Sequence, residues 1–424
     1  MSKASIHSFE SRVGLDPPLP LACSTSAIDV SMTTYRIGFL MYQLLGHITH
    51  DQRLRLEVAK DPEIQPKWMP ILPRSEDRWQ RLPVIKDNFT LLGGLRARDQ
   101  LGRHTAWFNA LYCHTQEPAV LLGKYMKRIP TILSMDATPI NMDSIGHAYG
   151  HSVASKPIEH VKLFLIKRTF ERAAHLVTFS RWAKDSLIND YGISEKRITV
   201  NAPGPDLGLW NISEEERTKS QNDLSPHVLF VGGDFRRKGG ETLIQCAASA
   251  QGKWSVDIVT GDNARGAEGI PNLRVHRGLK TGTRELLSLY RKANIFALPT
   301  LSDCYSWVIL EAMAMRLPVV ATPVGAIPEL VIPGETGLLI PPNSPEALIE
   351  AIRELGKDPE RRLAMGNAGR QRVEQFFDGA RSYRRLIALI KSIADENRRP
   401  HGAIGQRAAD NVAESRWRSQ PPLT

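Results

Sequence analysis

Two carboxylates, Asp303 and Glu311, stand eight positions apart in a stretch that runs Ser302-Asp303-Cys304-Tyr305-Ser306-Trp307 and on to Glu311-Ala312-Met313-Ala314. A carboxylate accepts hydrogen bonds from neighbouring hydroxyls, so each suits a pair of sugar hydroxyls and repels a phosphate. The apolar run Ile295 to Leu298, closed by Pro299, predicts a buried parallel strand, and the residues after Ser306 predict a helix ending near Met315. Asp303 then precedes the helix and Glu311 sits inside it. Unpaired backbone N–H groups and the helix dipole at such a start favour a phosphate without a metal ion. A diphosphate held beside sugar hydroxyls uses both properties. A capped helix with a solvated Glu311 is the plainer use of the same residues.

A second cluster is basic. Val228 to Val231 predicts a short strand, Gly232-Gly233 a turn, and Arg236-Arg237-Lys238-Gly239-Gly240 the opening of a helix that runs to about Ala250. Three cations at a helix start oppose its dipole, which points to a bound anion that compensates them. An exposed basic turn is the alternative.

In the first half of the chain, Gly46-His47-Ile48-Thr49-His50 follows an apolar run from Tyr35 to Met41, and Gly46 permits close approach of a ligand on the acceptor side of a cleft, with His47 beside it. His47 and His50 have no evident third metal ligand, so hydrogen bonding or packing is their expected use. Asp136 ends the run Thr131 to Met135, where it either meets a reacting centre or closes an Asx turn. Ser180 reads as a helix N-cap.

The elements that must position these residues alternate. Runs near Ala106 to Tyr112, Thr131 to Met135, His175 to Phe179 and Ile198 to Val200, then Val228, Val256 to Val259, Leu273 to His276, Ile295 to Leu298 and Val319 to Ala321, are separated by helical stretches. This predicts the α/β class, with two Rossmann-like, doubly wound domains facing a central cleft. The expected divisions are a disordered tail over 1–34, an acceptor-side domain over 35–205, a linker over 206–227 in a region rich in Pro, Gly, Glu and Ser, a nucleotide-binding domain with C-terminal helices over 228–395, and a disordered tail over 396–424. A single helical stretch is expected from Pro359 to about Ala394. Ligands in such sheets bind beyond the carboxyl ends of the strands, where both loops described above fall.

With 424 residues and 42% hydrophobic content the chain can fill two cores. It has no apolar run of transmembrane length and no signal-peptide core, and its four scattered cysteines fit a reducing cytoplasm. The net charge of +10 calls for an anionic partner. Zinc-finger spacing, aromatic RNA-binding runs and base-reading basic helices are lacking, so nucleic acid is not expected. A membrane surface fits better: over 156–172, Lys156, Lys162, Lys167, Arg168 and Arg172 flank Ile158, Val161, Phe164, Leu165, Ile166 and Phe170 at helical spacing. The same pattern also describes a core-facing helix with a solvated basic edge.

The second half resembles the signature of family 4 glycosyltransferases of the GT-B fold (glycosyl transferases group 1). Glu311 to Ala314, Pro318 to Ala321, Gly325, Glu329 and Gly334 to Leu339 match that signature, and Lys238 and Gly239 match its Lys-Gly pair. Asp303 stands where the family has a Glu, Ser306 where it has a Gly, and Gly233 where it has an Arg, with Arg236 or Arg237 as the substitute. Asp136 stands where many relatives carry a His near the transferred sugar. Phe179 to Ala183 and Asn201 to Asp206 also resemble family segments, and the likeness extends from about Tyr35 to Ala394.

The resemblance implies a retaining transfer of a sugar, of hexosyltransferase type, from a nucleoside diphosphate sugar to an acceptor hydroxyl; the basic charge and the 156–172 stretch favour a saccharide or lipid-linked acceptor in cell-surface polysaccharide or glycolipid assembly, at the inner face of the cytoplasmic membrane. Lys238, an arginine of the same loop and backbone donors near Ser306 would take up the leaving charge. Glu311 would hold the ribose, Asp303 the donor sugar, and Asp136 would lie at the reaction centre. The donor would be the only small molecule required, with no metal and no cofactor. An epimerase of the same fold and a non-catalytic binding subunit are the other readings.

Overall fold

The structure is a computed structural model that describes residues 34–44, 46–82, 85–86, 88–102, 105–149, 156–221 and 225–398. The tails expected to be disordered lie outside the described residues, apart from Thr34 and the last turn of the final helix.

Six strands form a first sheet: β1 (Tyr35–Tyr42), β2 (Ile64–Ile71), β3 (Ala110–His114), β4 (Thr131–Met135), β5 (His175–Thr178) and β6 (Ile198–Val200). Their order is β2-β1-β3-β4-β5-β6, and every pairing is parallel. The crossovers carry helices α1 (Gly46–Val58), α2 (Phe89–Leu101), α3 (Gly123–Met126), α4 (Pro139–Ile145), α5 (Lys156–Arg172) and α6 (Arg181–Asn189). The second sheet holds β7 (His227–Val231), β8 (Ser255–Val259), β9 (Leu273–His276), β10 (Ile295–Leu298), β11 (Val319–Ala321) and β12 (Gly337–Leu339), in the order β12-β11-β10-β7-β8-β9 and again parallel. Its helices are α7 (Glu214–Gln221), α8 (Gly240–Ser249), α9 (Arg284–Lys292), α10 (Trp307–Ala314), α11 (Ile327–Leu330), α12 (Pro345–Gly356) and α13 (Pro359–Phe376), and α14 (Gly379–Arg398) closes the chain. The near-continuous apolar strands, such as buried Ile295 to Leu298, suit sheets covered on both faces.

Three features depart from the sequence expectation. Strand β2 carries Pro66 and Pro70, which read as strand breakers; it is an edge strand that pairs with β1 alone, where a missing N–H is tolerated. The stretch expected as a linker folds: α7 lies within it, Trp210 is fully buried, and the buried Arg217 donates to the carbonyls of Tyr290, Ala293 and Met315. The long helix expected from Pro359 divides at Phe377 and Asp378, and α14 returns to the first sheet. There Tyr383, Leu386, Ile387, Ile390 and Ile393 pack with Ile37, Phe39, Met41 and Tyr112. Each large aliphatic side chain buried there contributes about 1.5–3 kcal/mol, which compensates the break in the helix.

The two crossings between the units touch. A Cβ on Gly204 would lie 1.6 Å from the Phe377 carbonyl oxygen, and one on Gly379 would lie 2.3 Å from the Gly204 oxygen. Only glycine allows this approach of two backbones.

Candidate active site

The loops after β7 and β10 are joined through Arg237. Its guanidinium donates to Asp234 at 2.9 Å and to the Ser302 carbonyl at 2.8 Å, while its own carbonyl accepts from the Leu301 N–H at 2.8 Å and from Thr300 Oγ1 at 3.1 Å. Arg237 is thus enclosed and works as a brace between the loops. Arg236 turns outward, with its side chain 83% exposed and 3.8 Å from Glu241. Both arginines line an open cleft of about 600 Å³ whose opposite wall is Ser144, Ile145 and Ala148 of the first unit.

Lys238 and Asp303 meet directly. The Lys238 Nζ donates to a carboxylate oxygen of Asp303; the Asp303 side chain is buried and that of Lys238 is 13% exposed. Burial lowers the pKa of the Lys238 ammonium, and the Asp303 carboxylate opposes that loss. The lysine stem passes over Gly232, where a Cβ would come within 2.9 Å of the Lys238 Cβ. Gly233 faces open space. All three cations at this loop thus have a carboxylate partner, Arg236 only through a long, exposed contact with Glu241, and Arg236 is the one turned to solvent.

Glu311 lies in the second turn of α10 and is 4% exposed, so the solvated alternative fails. Tyr290 of α9 donates to it at 3.2 Å. Burial pushes the Glu311 carboxyl up to about 8, with the tyrosine bond pulling the other way. Ser306 occupies the N-cap position of α10 but makes no cap bond, and its buried hydroxyl has no hydrogen-bond partner among the described residues. The start of α10 therefore keeps its backbone donors and a free hydroxyl beside Asp303.

Across the cleft, Gly46 opens α1, and a Cβ there would sit 3.4 Å from the Trp307 ring, so the starts of α1 and α10 face each other. His47 Nδ1 lies 2.9 Å from His114 Nε2 at the end of β3. His50 is buried between two tyrosine hydroxyls, Tyr112 at 2.8 Å and Tyr383 at 3.2 Å. Burial pushes the His50 imidazole down to about 3, and His114 far below its ordinary range, so both are neutral. Among the described residues no group of three His, Cys, Asp or Glu side chains suits a metal ion.

The turn after β3 is under strain. Thr115 has φ +70, a region that β-branched residues rarely enter, and His114 Nδ1, Thr115 Oγ1 and Gln116 Oε1 are all buried without a partner among the described residues. Asp136 follows β4, half-buried and with no hydrogen bond or ion pair among the described residues. It stands one turn ahead of α4, whose Met142 sulfur is 3.3 Å from the Cys304 sulfur.

The structure thus brings Gly232, Lys238, Asp303, Ser306 and Glu311 together on one wall, with Arg236 at its rim, and Gly46, His47 and Asp136 on the other. His114, Thr115, Gln116 and Tyr290 escaped the sequence reading; the available signal was the polar run immediately after the apolar strand Ala110 to Cys113.

Residues 225–358, which hold Gly232, Lys238, Asp303, Ser306 and Glu311, match the family described as Glycosyl transferases group 1. The chain is 32% identical over 211 residues to the D-inositol 3-phosphate glycosyltransferase of Corynebacterium aurimucosum, which covers 45% of this chain and 50% of that protein. It is 25% identical over 342 residues to the alpha-maltose-1-phosphate synthase of Mycolicibacterium smegmatis, covering 74% and 84%. The chain spans about half the length of the first curated relatives it matches. Among solved structures, the sucrose-phosphate synthase of Thermosynechococcus elongatus superposes with a TM-score of 0.69 at 19% identity, covering 85% of this chain and all of that one. Anabaena HepE in complex with UDP and glucose does so at 0.62 and 16%, covering 84% and 100%. The fold is GT-B. In a GT-B molecule the two walls described above belong to the two facing domains, so the unpaired polar groups of the first sheet and the ion-paired groups of the second line one cleft.

Proposed function

We propose that this chain is a retaining glycosyltransferase that moves a sugar from a nucleoside diphosphate sugar to an acceptor hydroxyl. The observation that carries this reading is the contact of Lys238 with Asp303 at the open start of α10, with Glu311 buried one helix turn further on. Lys238, the rim cation Arg236 and the backbone donors at Ser306 take up the charge of the departing diphosphate. Asp303 holds hydroxyls of the donor sugar, and Glu311 those of the ribose. The bond from the anomeric carbon to the phosphate oxygen breaks, the acceptor oxygen bonds to that carbon on the same face, and the acceptor proton passes to the leaving phosphate oxygen. Asp136, unpaired on the first wall, lies at the reaction centre, and Gly46 and His47 border the acceptor. The resident groups suffice for this chemistry, so no metal is required.

The acceptor is a saccharide, lipid-linked in cell-surface glycan assembly at the cytoplasmic leaflet. Helix α5 supports that place: Ile166 and Phe170 enter the core, while Val161 and Phe164 are each 60% exposed and Leu165 is 40% exposed, beside Lys162 and Arg168, which pair with Glu159 and Glu171 of the same helix. The side chains of Lys156 and Ile158 lie outside the described residues. Among the described residues no helix is long and apolar enough to cross a membrane. Apolar side chains beside cations suit an anionic lipid surface.

A thermal-shift panel of UDP, GDP, ADP and their sugars tests the donor reading, since a ligand of the native state raises its melting temperature. The reading expects one nucleoside diphosphate series to stabilise the wild type and not Lys238→Ala. No shift with any of them would overturn it. Product formed from the donor without acceptor would assign the epimerase reading, and binding without turnover the non-catalytic one.

A further inference from the structure

We infer that Glu329 is a positioning residue: from the second unit it caps helix α6 of the first, and so holds the acceptor wall closed over the donor loop. The N–H groups of Arg181 and Trp182 donate to the two carboxylate oxygens of Glu329 at 2.8 and 2.7 Å. The next N–H, of Ala183, goes to Ser180 Oγ at 3.2 Å. Three donors at the start of a nine-residue helix are thus met by side chains, two of them from across the cleft. A carboxylate at that end also faces the favourable pole of the helix dipole.

The same residue is tied to the donor loop. Gly325 adopts φ +55, and a Cβ there would lie 2.0 Å from the Asp303 carbonyl oxygen; the next N–H, of Ala326, donates to the Cys304 carbonyl at 3.2 Å. Helix α11 begins at the following residue and presents Glu329. Asp303, Gly325, Ala326, Glu329 and α6 therefore form a continuous series of contacts from the backbone of the Asp303–Cys304 loop to the first unit. The turn before α6 is held by the donor loop as well, through the edge contact of the Phe179 and Tyr305 rings at 5.6 Å, and the Tyr305 hydroxyl donates to the Pro203 carbonyl at 2.6 Å. Two segments matched in the sequence without a role, Phe179 to Ala183 and Gly325 to Glu329, meet each other here.

The catalytic consequence rests on the transferase reading, whereas the closure itself rests on these contacts alone. A donor held by the second unit reacts only when the first unit brings the acceptor within bonding distance, and a displacement of about 1 Å in such a site costs on the order of 10²-fold in rate. Glu329 touches none of the groups assigned to the nucleotide, so its loss should spare nucleotide affinity.

The test uses the full chain as wild type, Glu329→Ala and Glu329→Gln. Small-angle scattering without ligand should give a larger radius of gyration for Glu329→Ala and an intermediate one for Glu329→Gln, whose amide oxygen still accepts one N–H. Affinity for UDP and GDP by calorimetry should be unchanged in both, and transfer should fall about 10²-fold in Glu329→Ala with partial recovery in Glu329→Gln. An unchanged radius in Glu329→Ala overturns the inference. So does a joint loss of melting temperature and nucleotide affinity in both variants, which would make Glu329 a support of α11 alone. If the wild type binds neither nucleotide and turns over no donor, the transferase reading fails, and the scattering still decides the closure.

Discussion

The wall built on the second sheet holds its cations in ion pairs, whereas the wall built on the first holds its buried histidines neutral and leaves several polar atoms without partners among the described residues. Lys238 is matched by Asp303 and Arg237 by Asp234, while His50 and His114 are uncharged and the Asp136 carboxylate, Thr115 Oγ1 and Gln116 Oε1 have no partner among the described residues. The contrast follows from the ligands each wall would meet. A diphosphate brings charge that a preorganised cation must receive, and a buried cation needs a carboxylate until the ligand arrives. A saccharide brings hydroxyls, which are met by neutral donors and acceptors that need no counter-charge. Each wall also buries titratable groups that are neutral near pH 7, Glu311 on one side and His50 and His114 on the other.

The largest expected effect comes from breaking the ion pair. Lys238→Met leaves the buried Asp303 carboxylate alone, which costs about 3–5 kcal/mol of stability, and it also removes the charge proposed to receive the diphosphate. Adding Asp303→Leu should restore most of the stability and none of the nucleotide binding. Urea denaturation of the four proteins of the cycle, with UDP and GDP calorimetry alongside, reads both. A single-variant cost below about 1 kcal/mol would place the pair among weak surface bridges and dissolve the contrast between the walls.

The second effect is in pH, and its sign differs between the walls. Glu311 keeps its proton up to about 8 in the folded protein against 4.5 otherwise, so over that window the unfolded chain binds fewer protons and stability falls as pH rises. His50 stays neutral down to about 3 against 6.5, so the unfolded chain binds more protons there and stability falls as pH drops from 6.5 toward 3. Each slope is about 1.4 kcal/mol per pH unit when fully expressed. Between 4.5 and 6.5 Glu311 offsets only part of the histidine slope, because His114 is lowered in the same direction as His50, so stability should peak near 6.5 and decline on either side. Glu311→Gln should flatten the alkaline side and exceed the wild type at pH 8, while losing turnover; His50→Gln should reduce the acid-side slope and leave the part that comes from His114. Chemical denaturation from pH 3.5 to 8 checks this, and an alkaline slope that persists in Glu311→Gln would remove Glu311 as its source.

The legibility of the two walls differs for the same physical reason. Asp303, Glu311 and Lys238 could be read because charged side chains at fixed offsets from a strand end and a helix start are local facts, and the strands near them are unbroken apolar runs. His114 could not, since its partner His47 is 67 positions away and only the order of β1 and β3 in the sheet brings them together. Arg217 misled by type: a charged residue in a polar stretch reads as solvated, yet its five N–H groups suit the carbonyl ends of packed elements. Strand β2 was hidden by its prolines, whose tolerance depends on an edge position that no local pattern reveals. The return of α14 to the first sheet was hidden because helical periodicity tells which face is apolar and says nothing about which surface it will cover.

The smallest effect is the most specific to the acceptor wall. Thr115 holds φ +70 in a buried turn, a conformation that costs a β-branched residue about 1–3 kcal/mol, and its neighbours His114 and Gln116 carry unmet hydrogen-bonding atoms. Glycine removes that strain and adds unfolded-state entropy worth about 0.4–1 kcal/mol in the opposite direction, so Thr115→Gly should be more stable than the wild type by about 1 kcal/mol. If the strain is retained because the turn aims Oγ1 at a saccharide hydroxyl, the stabilised variant should bind nucleotide as before and show a higher KM for acceptor. Denaturation and acceptor titration at saturating donor separate the two terms. Were Thr115→Gly more stable with an unchanged acceptor KM, the strained turn would serve only to route the chain, and the first wall's unpaired groups would have to be assigned to ordered water instead of substrate.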